Sequence, residues 1–472
     1  MAGAAVTDGG FSGAGAEVPA EDGLAMPQRA WAIASVALAI AMCVLDSSIA
    51  NVALPVIARE FGAAPAESIW IVNAYQLAIV VSLLPLASLG EIIGFRRVYL
   101  VGLTLFTLAS LACSLSRTLP ELTLARTLQG FGAAGVMSVN GALVRHIYPF
   151  RLLGRGVGLN AMVVSVTAAI GPSVAAGILA LGPWPWLFAV NIPVGLAALT
   201  LAARVLPANP LSGRSFDWLS ALLNALTFGL IIAGVDTLSR TAAKLGGALE
   251  LAAGAAAGAF LAVREWGRPR PLVPFDLLRE RAFTLAVLTS IASFAAQMLA
   301  FVSLPFHFEN TLHHSQVATG LLLTPWPAAV ALAAPVAGRL ADRISSALLC
   351  AIGLMALASG LVALALLKTE ATTLDIGWRM ALCGLGFGFF QAPNNRVMLT
   401  AAPRERAGAA GGMLGTARLT GQTVGAVLTA IVLEFLGSNG EVAALSLAAG
   451  FALVAAVFSG LRLGSVQMRS SP

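Results

Sequence analysis

The chain has 472 residues, 58% of them hydrophobic and only 11% charged, with a mean hydropathy of +0.87, whereas an ordinary soluble domain is roughly a quarter charged. That excludes a soluble globular protein and makes the lipid bilayer the surroundings of the chain. The net charge of +6 does not point to nucleic acid, because the arginines lie in short loops between apolar runs, where membrane orientation requires them. No Gly-rich phosphate loop with a lysine and no serine-histidine-acid set appears, so neither an enzyme nor an ATP-driven machine is expected, and no cofactor. The four cysteines, Cys43, Cys113, Cys350 and Cys383, fall inside apolar runs at no metal-ligand spacing and read as buried packing residues.

In chain order, the first 28 residues are rich in Ala and Gly and carry Glu17, Glu21 and Asp22. This is opposite to the basic start of a secretory signal and reads as a disordered tail before an uncleaved first helix. At about 20 residues per span, apolar runs follow at roughly 31–58, 67–89, 98–116, 120–144, 156–181 and 186–203. A pair comes next at roughly 218–238 and 246–263, then six more near 282–304, 319–339, 347–367, 377–399, 408–434 and 443–461. The expected organisation is a tail (1–28), a six-helix bundle (29–205), a linker with two extra spans (206–281), a second six-helix bundle (282–463) and a tail (464–472). The fold class is all-α membrane protein with 14 transmembrane helices.

With the amino terminus inside, the inside loops collect Arg96, Arg97, Arg145, Arg151, Arg155, Arg204, Arg339, Arg343, Arg396 and Arg406, while outside loops hold few basic residues, such as Arg59, Arg117 and Lys368. The positive-inside rule then puts both termini in the cytoplasm. The predominance of Arg over Lys, with abundant Ala and Gly, points to a bacterial cytoplasmic (inner) membrane. An internal repeat is also visible: Pro149, Gly154, Gly158 and Gly171 recur as Pro403, Gly408, Gly412 and Gly425 at one offset of 254. Glu91 and Asp342 follow the second span of each bundle, and such repeats are a common way to build transporters with a site near the midplane.

Several motifs resemble the major facilitator superfamily, and within it the fourteen-span drug:proton antiporters. "LDSSIANVALP" is similar to that family's first-helix motif through Asp46, Asn51, Ala53, Leu54 and Pro55. "LARTLQGFGAAG" resembles the fourth-helix motif with Arg126, Gln129 and Gly130, and "AIGPSVAAG" the fifth-helix antiporter motif with Gly171 and Pro172. There are departures. In the loop after the second span, Ala87 stands at the first motif glycine, Glu91 at the aspartate and Ile92 at the first arginine; Ala175 and Ala176 replace paired glycines in the fifth span. A gating contact that needs an arginine at Ile92 does not exist here.

The resemblance implies a proton-coupled exporter working by alternating access, driven by the proton gradient, of lipophilic and often cationic compounds. Export of a native metabolite such as an antibiotic or siderophore, and a non-transporting sensor of the same fold, are the alternatives. No partner subunit is signalled, so a monomer is expected.

Individual residues carry the chemistry. Asp46 lies roughly 22 Å along the first helix from Trp31, deep in a hydrocarbon layer about 30 Å thick, where a charge costs about 2.5–3.5 kcal/mol on insertion scales. Removal from water favours the neutral form of a carboxyl. Asp46 is therefore the candidate proton carrier, with Arg126 in the outer half of the fourth span as its expected partner; a fixed salt bridge is the competing reading. Gly171 and Pro172 break the helical ladder and serve either as a pivot or as a static bend.

Glu91 with Arg96 and Arg97, and Asp342 with Arg343, are expected to lock the cytoplasmic face by charge pairs. Trp70, Tyr75, Gln76, Gln129, Phe294, Met298, Phe301, Asn394 and Arg418 are candidates for a substrate cavity, the aromatic and Met side chains supplying adaptable contacts to cations. Packing within the bundle is the alternative for each. Arg418, near mid-membrane, needs the cavity or polar partners such as Gln391, Asn394 and Asn395. The segment "HFENTLHH", with His307, Glu309, His313 and His314, reads as a solvated loop rather than a metal site.

Overall fold

The computed structural model describes residues 23–63, 68, 70–208, 211, 215–238, 244–268, 271–313, 316–368, 371–436 and 439–467. The amino-terminal tail before residue 23 and His314 lie outside the described residues, as do the side chains of Asn51, Pro55, Pro172 and Glu309. Everything described is helical or short connection.

The first bundle contains α1 (Gln28–Phe61), α2 (Trp70–Ile93), α3 (Phe95–Leu115), α4 (Leu119–Ile147), α5 (Leu153–Leu181) and α6 (Trp186–Val205). The inserted pair is α7 (Trp218–Leu238) and α8 (Lys244–Glu265). The second bundle contains α9 (Arg281–Phe306), α10 (Gln316–Leu323 with Pro325–Leu340), α11 (Ser346–Ala365), α12 (Thr373–Ala401), α13 (Ala407–Leu436) and α14 (Gly440–Gln467).

Local chemistry explains where these helices start and stop. Thr118 caps α4 by accepting from the Glu121 amide at 3.4 Å, and Thr372 caps α12 by accepting from the Asp375 amide at 3.2 Å. Gly62, in the left-handed region at φ +62°, closes α1. Gly94, at φ +108°, turns α2 into α3 with one intervening residue, a conformation that disfavours any side chain.

Among the described residues, ten helices are long and apolar enough to cross a membrane, and α5 makes eleven if its two parts, bent by 46°, count as one span. Two of the longest helices fall short of that test for a visible reason: α4 carries Arg126, Gln129 and Asn140, and α12 carries Arg379, Gln391, Asn394, Asn395 and Arg396. α7 qualifies only as a shorter apolar segment, Trp218–Gly234. The outer surface exposes large apolar side chains such as Val101, Leu108, Leu332 and Val457, as a lipid-facing belt requires.

α7 packs on α8 and on α2. Pro85 within α2 has no N–H, which frees the carbonyl four residues earlier, and Asn224 of α7 donates to that Val81 oxygen at 2.9 Å. Asp217, just before α7, ties it to the end of α8 through Arg264 at 3.2 Å and Arg268. Burial alone would push the Asp217 carboxyl up, but the Ser220 amide and hydroxyl and both arginines hold it well below the usual carboxylate range.

The two bundles meet chiefly through α5 on α10, α13 on α2 and α4, and α12 on α5. At the end where the loop arginines gather, one apolar core runs through both bundles, including Ala39, Phe95, Ile147, Phe283, Met398 and Ala410. Towards the opposite end the core separates into one cluster per bundle, around Ile57, Trp184 and Phe188 in the first and around Leu299, Leu357 and Phe390 in the second.

Candidate functional site

Three features stand out: a buried ionic network inside the first bundle, and a central cavity and a pair of latches along the contact between the bundles.

The network centres on Asp46, 1% exposed, and Arg126, 0% exposed. Arg126 Nη1 donates to Asp46 Oδ2 at 2.5 Å, and its Nε donates to the Ile71 carbonyl at 3.2 Å. The other carboxylate oxygen accepts from Gln129 Nε2 at 2.9 Å and from Asn191 Nδ2 at 2.8 Å. Gln129 is held in turn by Ser110 Oγ at 2.8 Å and by Arg126 Nη1 at 2.6 Å. The guanidinium carbon lies 4.1 Å from the centroid of the Tyr75 ring, a cation–π contact over the flat face. Thus α4 and α6 bring three donor side chains to the carboxylate of α1, with Ser110 of α3 behind Gln129.

The geometry answers the question raised by a charge in an apolar run: the cost of desolvating Asp46 is offset by pairing and by hydrogen bonds to both oxygens. It also defines what a proton would do. Neutralising the carboxyl would remove its pull on Arg126, which remains charged, and free the donors of α4 and α6. Gly171 of α5 faces Ser48, two residues beyond Asp46, so closely that a Cβ added there would lie 2.4 Å from the serine Cβ. The bend of α5 therefore rests against the turn of α1 that carries the carboxylate.

The central cavity consists of two spaces, of about 100 and 290 Å³, with Val164, Phe294, Gln391 and Arg418 in the walls of both. Small-molecule sites run from roughly 300 to 1,000 Å³. The first extends between Asn140 and Val157 of the first bundle and Asn395 and Gly415 of the second. The second is walled by Phe294, Met298 and Phe301 of α9, which share one helix face at spacings of four and three, and by Trp326, Phe387 and Gln422. α5 contributes Val164, Ser165 and Ala168, so the helix that touches the turn beside Asp46 also lines the cavity.

The latches are related by the internal repeat. Glu91, ending α2, accepts from the Ala409 amide in the first turn of α13 at 2.8 Å. Asp342, following α10, accepts from the Gly154 amide in the first turn of α5 at 3.0 Å. Each acid of one bundle thus meets the amino end of the fifth helix of the other, where exposed amides and the helix dipole favour an anion. Arg406 pairs with Glu91 at 3.0 Å and also with Asp276 at 2.8 Å. Arg396 and Arg155 approach Asp342 at 3.5 and 3.9 Å. Burial pushes the Asp342 carboxyl up, against the lowering effect of the Gly154 amide and the two arginines. Glycines allow the close approach: a Cβ on Gly338 would lie 2.3 Å from the Gly154 carbonyl, and one on Gly412 2.7 Å from Ala87 Cβ.

The structure thus joins Asp46 to Arg126, as expected, and puts Phe294, Met298, Phe301 and Arg418 in the cavity wall. Other expectations are corrected. Gln129 belongs to the Asp46 network because it lies one helical turn from Arg126. Tyr75 is buried under Arg126 and donates to the Cys43 carbonyl at 3.2 Å. Asn394 is turned into the second bundle, donating to Ala286 O and Ser290 Oγ at 2.9 Å and accepting from Arg462 at 2.8 Å. Trp70 lies at the far mouth with Glu60 and Arg117, and Gln76 donates to Ser47 Oγ at 3.3 Å.

Arg96 and Arg97 do not hold Glu91; they donate to the carbonyls of Ala203 and Ile93. Among the described residues the arginines that approach Asp342 are Arg155 and Arg396, not Arg343. His307 is not in a solvated loop. Its segment, His307–Thr311, prolongs α9 as a wide turn in which the Leu312 amide donates to the His307 carbonyl, and its buried ring lies 3.3 Å from Glu441. Asn191 escaped the sequence reading, although an asparagine inside the apolar run 186–203 was a visible signal.

The chain is similar over most of its length to several transporters. It is 51% identical over 451 residues to the uncharacterised transporter YebQ of Escherichia coli (strain K12), covering 95% of this chain and 99% of that one. It is 30% identical over 396 residues to the riboflavin transporter RibZ of Clostridioides difficile (strain 630), covering 83% and 86%. It is 32% identical over 410 residues to the multidrug resistance protein Stp of Mycobacterium tuberculosis (strain CDC 1551 / Oshkosh), covering 86% and 76%. The crystal structure of the human organic anion transporter MFSD10 superimposes with a TM-score of 0.67 at 14% identity, covering 92% of this chain and 99% of that one, a likeness of fold alone. A family model described as Major Facilitator Superfamily matches residues 36–426 and 289–466. The chain belongs to the Major Facilitator Superfamily, a multi-pass membrane transporter rather than an enzyme.

Proposed function

We propose that the protein is a proton-coupled exporter of amphipathic small molecules, a drug:proton antiporter of the bacterial inner membrane with fourteen spans and both termini in the cytoplasm. The observation that carries this reading is the buried Asp46–Arg126 pair, with Gln129 and Asn191 on the same carboxylate and α5 linking its neighbourhood to the central cavity.

Asp46 carries the proton. When neutral, it releases Arg126; α1 and α6 then shift against α4, and the movement reaches the cavity through the Ser48–Gly171 contact. The arginine-rich end is the cytoplasmic face, and the latches at Glu91 and Asp342 hold it shut in the present conformer. The placement of arginines in alternate loops supports this orientation and the count of fourteen. The relative named a multidrug resistance protein supports drug export. A second reading, export of a native metabolite, is favoured by the relative named a riboflavin transporter.

Everted membrane vesicles expressing the protein test the reading. Respiration should drive accumulation of an amphipathic dye that collapses on adding an uncoupler; accumulation indifferent to the uncoupler, or dye binding without accumulation, contradicts it.

A further inference from the structure

The central cavity contains one charge. Among the described residues in its walls there is no Asp, Glu, Lys or His, and Arg418 is the sole ionisable side chain. Its Nε is shut away from solvent without a hydrogen-bond partner. The fully buried arginines have side-chain partners, Arg126 in Asp46, Arg406 in Glu91 and Asp276, and Arg462 in Asn394 and Ser459, although Arg126 Nη2 and Arg462 Nε are likewise left without a hydrogen bond. A guanidinium keeps its charge at every accessible pH and is held away from water only at a penalty unless a counter-charge meets it. The position related to Arg418 by the repeat offset is Val164, on the facing wall. The charge is thus a property of one side of the cavity and, among the described residues, has no acid across from it.

The rest of the wall is apolar and aromatic. Phe294 lies edge-on to Phe387 with ring centres 5.3 Å apart, and Phe301 lies 5.0 Å from Trp326, whose indole N–H is also buried without a partner. Gln391 supplies an amide to both spaces.

We infer that the cavity takes an anionic amphipath: an aromatic or aliphatic body carrying one carboxylate, sulfonate or phosphate, with the acid group on Arg418 and the body among Phe294, Phe301, Trp326 and Phe387. A planar guanidinium matches such an oxyanion with two parallel hydrogen bonds. A lipophilic cation would bring like charge up to Arg418 in a medium that screens it poorly. This assignment of substrate class rests on the proposed export function only for the direction of movement; binding stands independently.

The test uses a matched pair of xanthene dyes, anionic fluorescein and a cationic rhodamine ester, and equilibrium binding to the purified full-length protein in neutral detergent with no gradient. Wild type should bind fluorescein at least tenfold more tightly than the rhodamine ester. Arg418→Gln should lose at least tenfold in fluorescein affinity without losing rhodamine affinity, and Arg418→Lys should retain an intermediate preference for the anion.

Equal binding of the two dyes by wild type, or a dye ratio unchanged in Arg418→Gln, overturns the inference. Displacement of fluorescein by phosphatidylglycerol but not phosphatidylcholine assigns the acid group to a lipid headgroup; displacement by neither assigns it to a free solute. An anion preference without proton-driven transport removes the export reading and leaves this one. Proton-driven rhodamine transport that ignores Arg418→Gln does the reverse.

Discussion

Two arginines within the helix bundles, Arg126 fully buried and Arg418 half-buried, stand in opposite situations. Arg126 lies inside the first bundle with a carboxylate, a backbone carbonyl and a glutamine around it, whereas Arg418 lies at the wall of the central cavity with no acid within it. The first is a closed circuit whose members hold one another; the second is an open site. Burial alone does not assign a role to a membrane arginine. What decides is whether the protein itself supplies the counter-charge.

The largest effect should come from breaking the closed circuit. Arg126→Ala leaves Asp46 buried with amide partners only, and removing one member of such a pair costs about 3–5 kcal/mol. Thermal unfolding in detergent should show a clear loss of stability. Arg418→Ala removes an unpaired charge and should show no loss. Equal destabilisation by the two variants would erase the distinction.

The double variant Asp46→Asn with Arg126→Gln should be more stable than the sum of its single changes allows, by about 1–3 kcal/mol, because neutral partners tolerate each other. Strict additivity in the same unfolding assay would mean that the pair is not energetically coupled.

A third prediction concerns the latches. Gly338→Leu must separate α5 from α10, since its Cβ would run into the Gly154 backbone. A cysteine placed at Val157, 4% exposed and in the cavity wall, should then react several-fold faster with an impermeant maleimide added at the arginine-rich face. Glu91→Gln and Asp342→Asn should each weaken closure by about 1 kcal/mol, near the worth of an anion at a helix amino end, and their effects on labelling should add because they share no partner. A comparable effect is expected from Asn224→Leu, which leaves the Val81 carbonyl unpaired at a cost of about 1 kcal/mol in the unfolding assay.

Sequence reasoning succeeded where a residue type was itself improbable. A charge at Asp46 and another at Arg126 in apolar runs demand each other. Phe294, Met298 and Phe301 announce one helix face by their spacing. It failed where the partner was remote or neutral. Glu91 has arginines five and six residues away, yet binds Arg406, 315 residues away, because adjacent loop arginines turn back onto their own helix carbonyls. The repeat held the missing signal: the acids Glu91 and Asp342 recur together with Gly154 and Gly408, next to the helix amino ends those acids cap. Tyr75 and Asn394 were misplaced because an aromatic or amide side chain in a helix serves equally well on either face, and only packing chooses between them. Gln129 could have been placed, since three residues after Arg126 is the same face.

The role of Asp46 as proton carrier has a direct test. Proteoliposomes holding wild type or Asp46→Asn, loaded with a transported dye, separate exchange from uphill movement. Asp46→Asn should keep dye-for-dye counterflow, since the cavity at Arg418 is intact, and lose concentrative transport driven by a pH gradient. Uphill transport retained by Asp46→Asn would contradict that role.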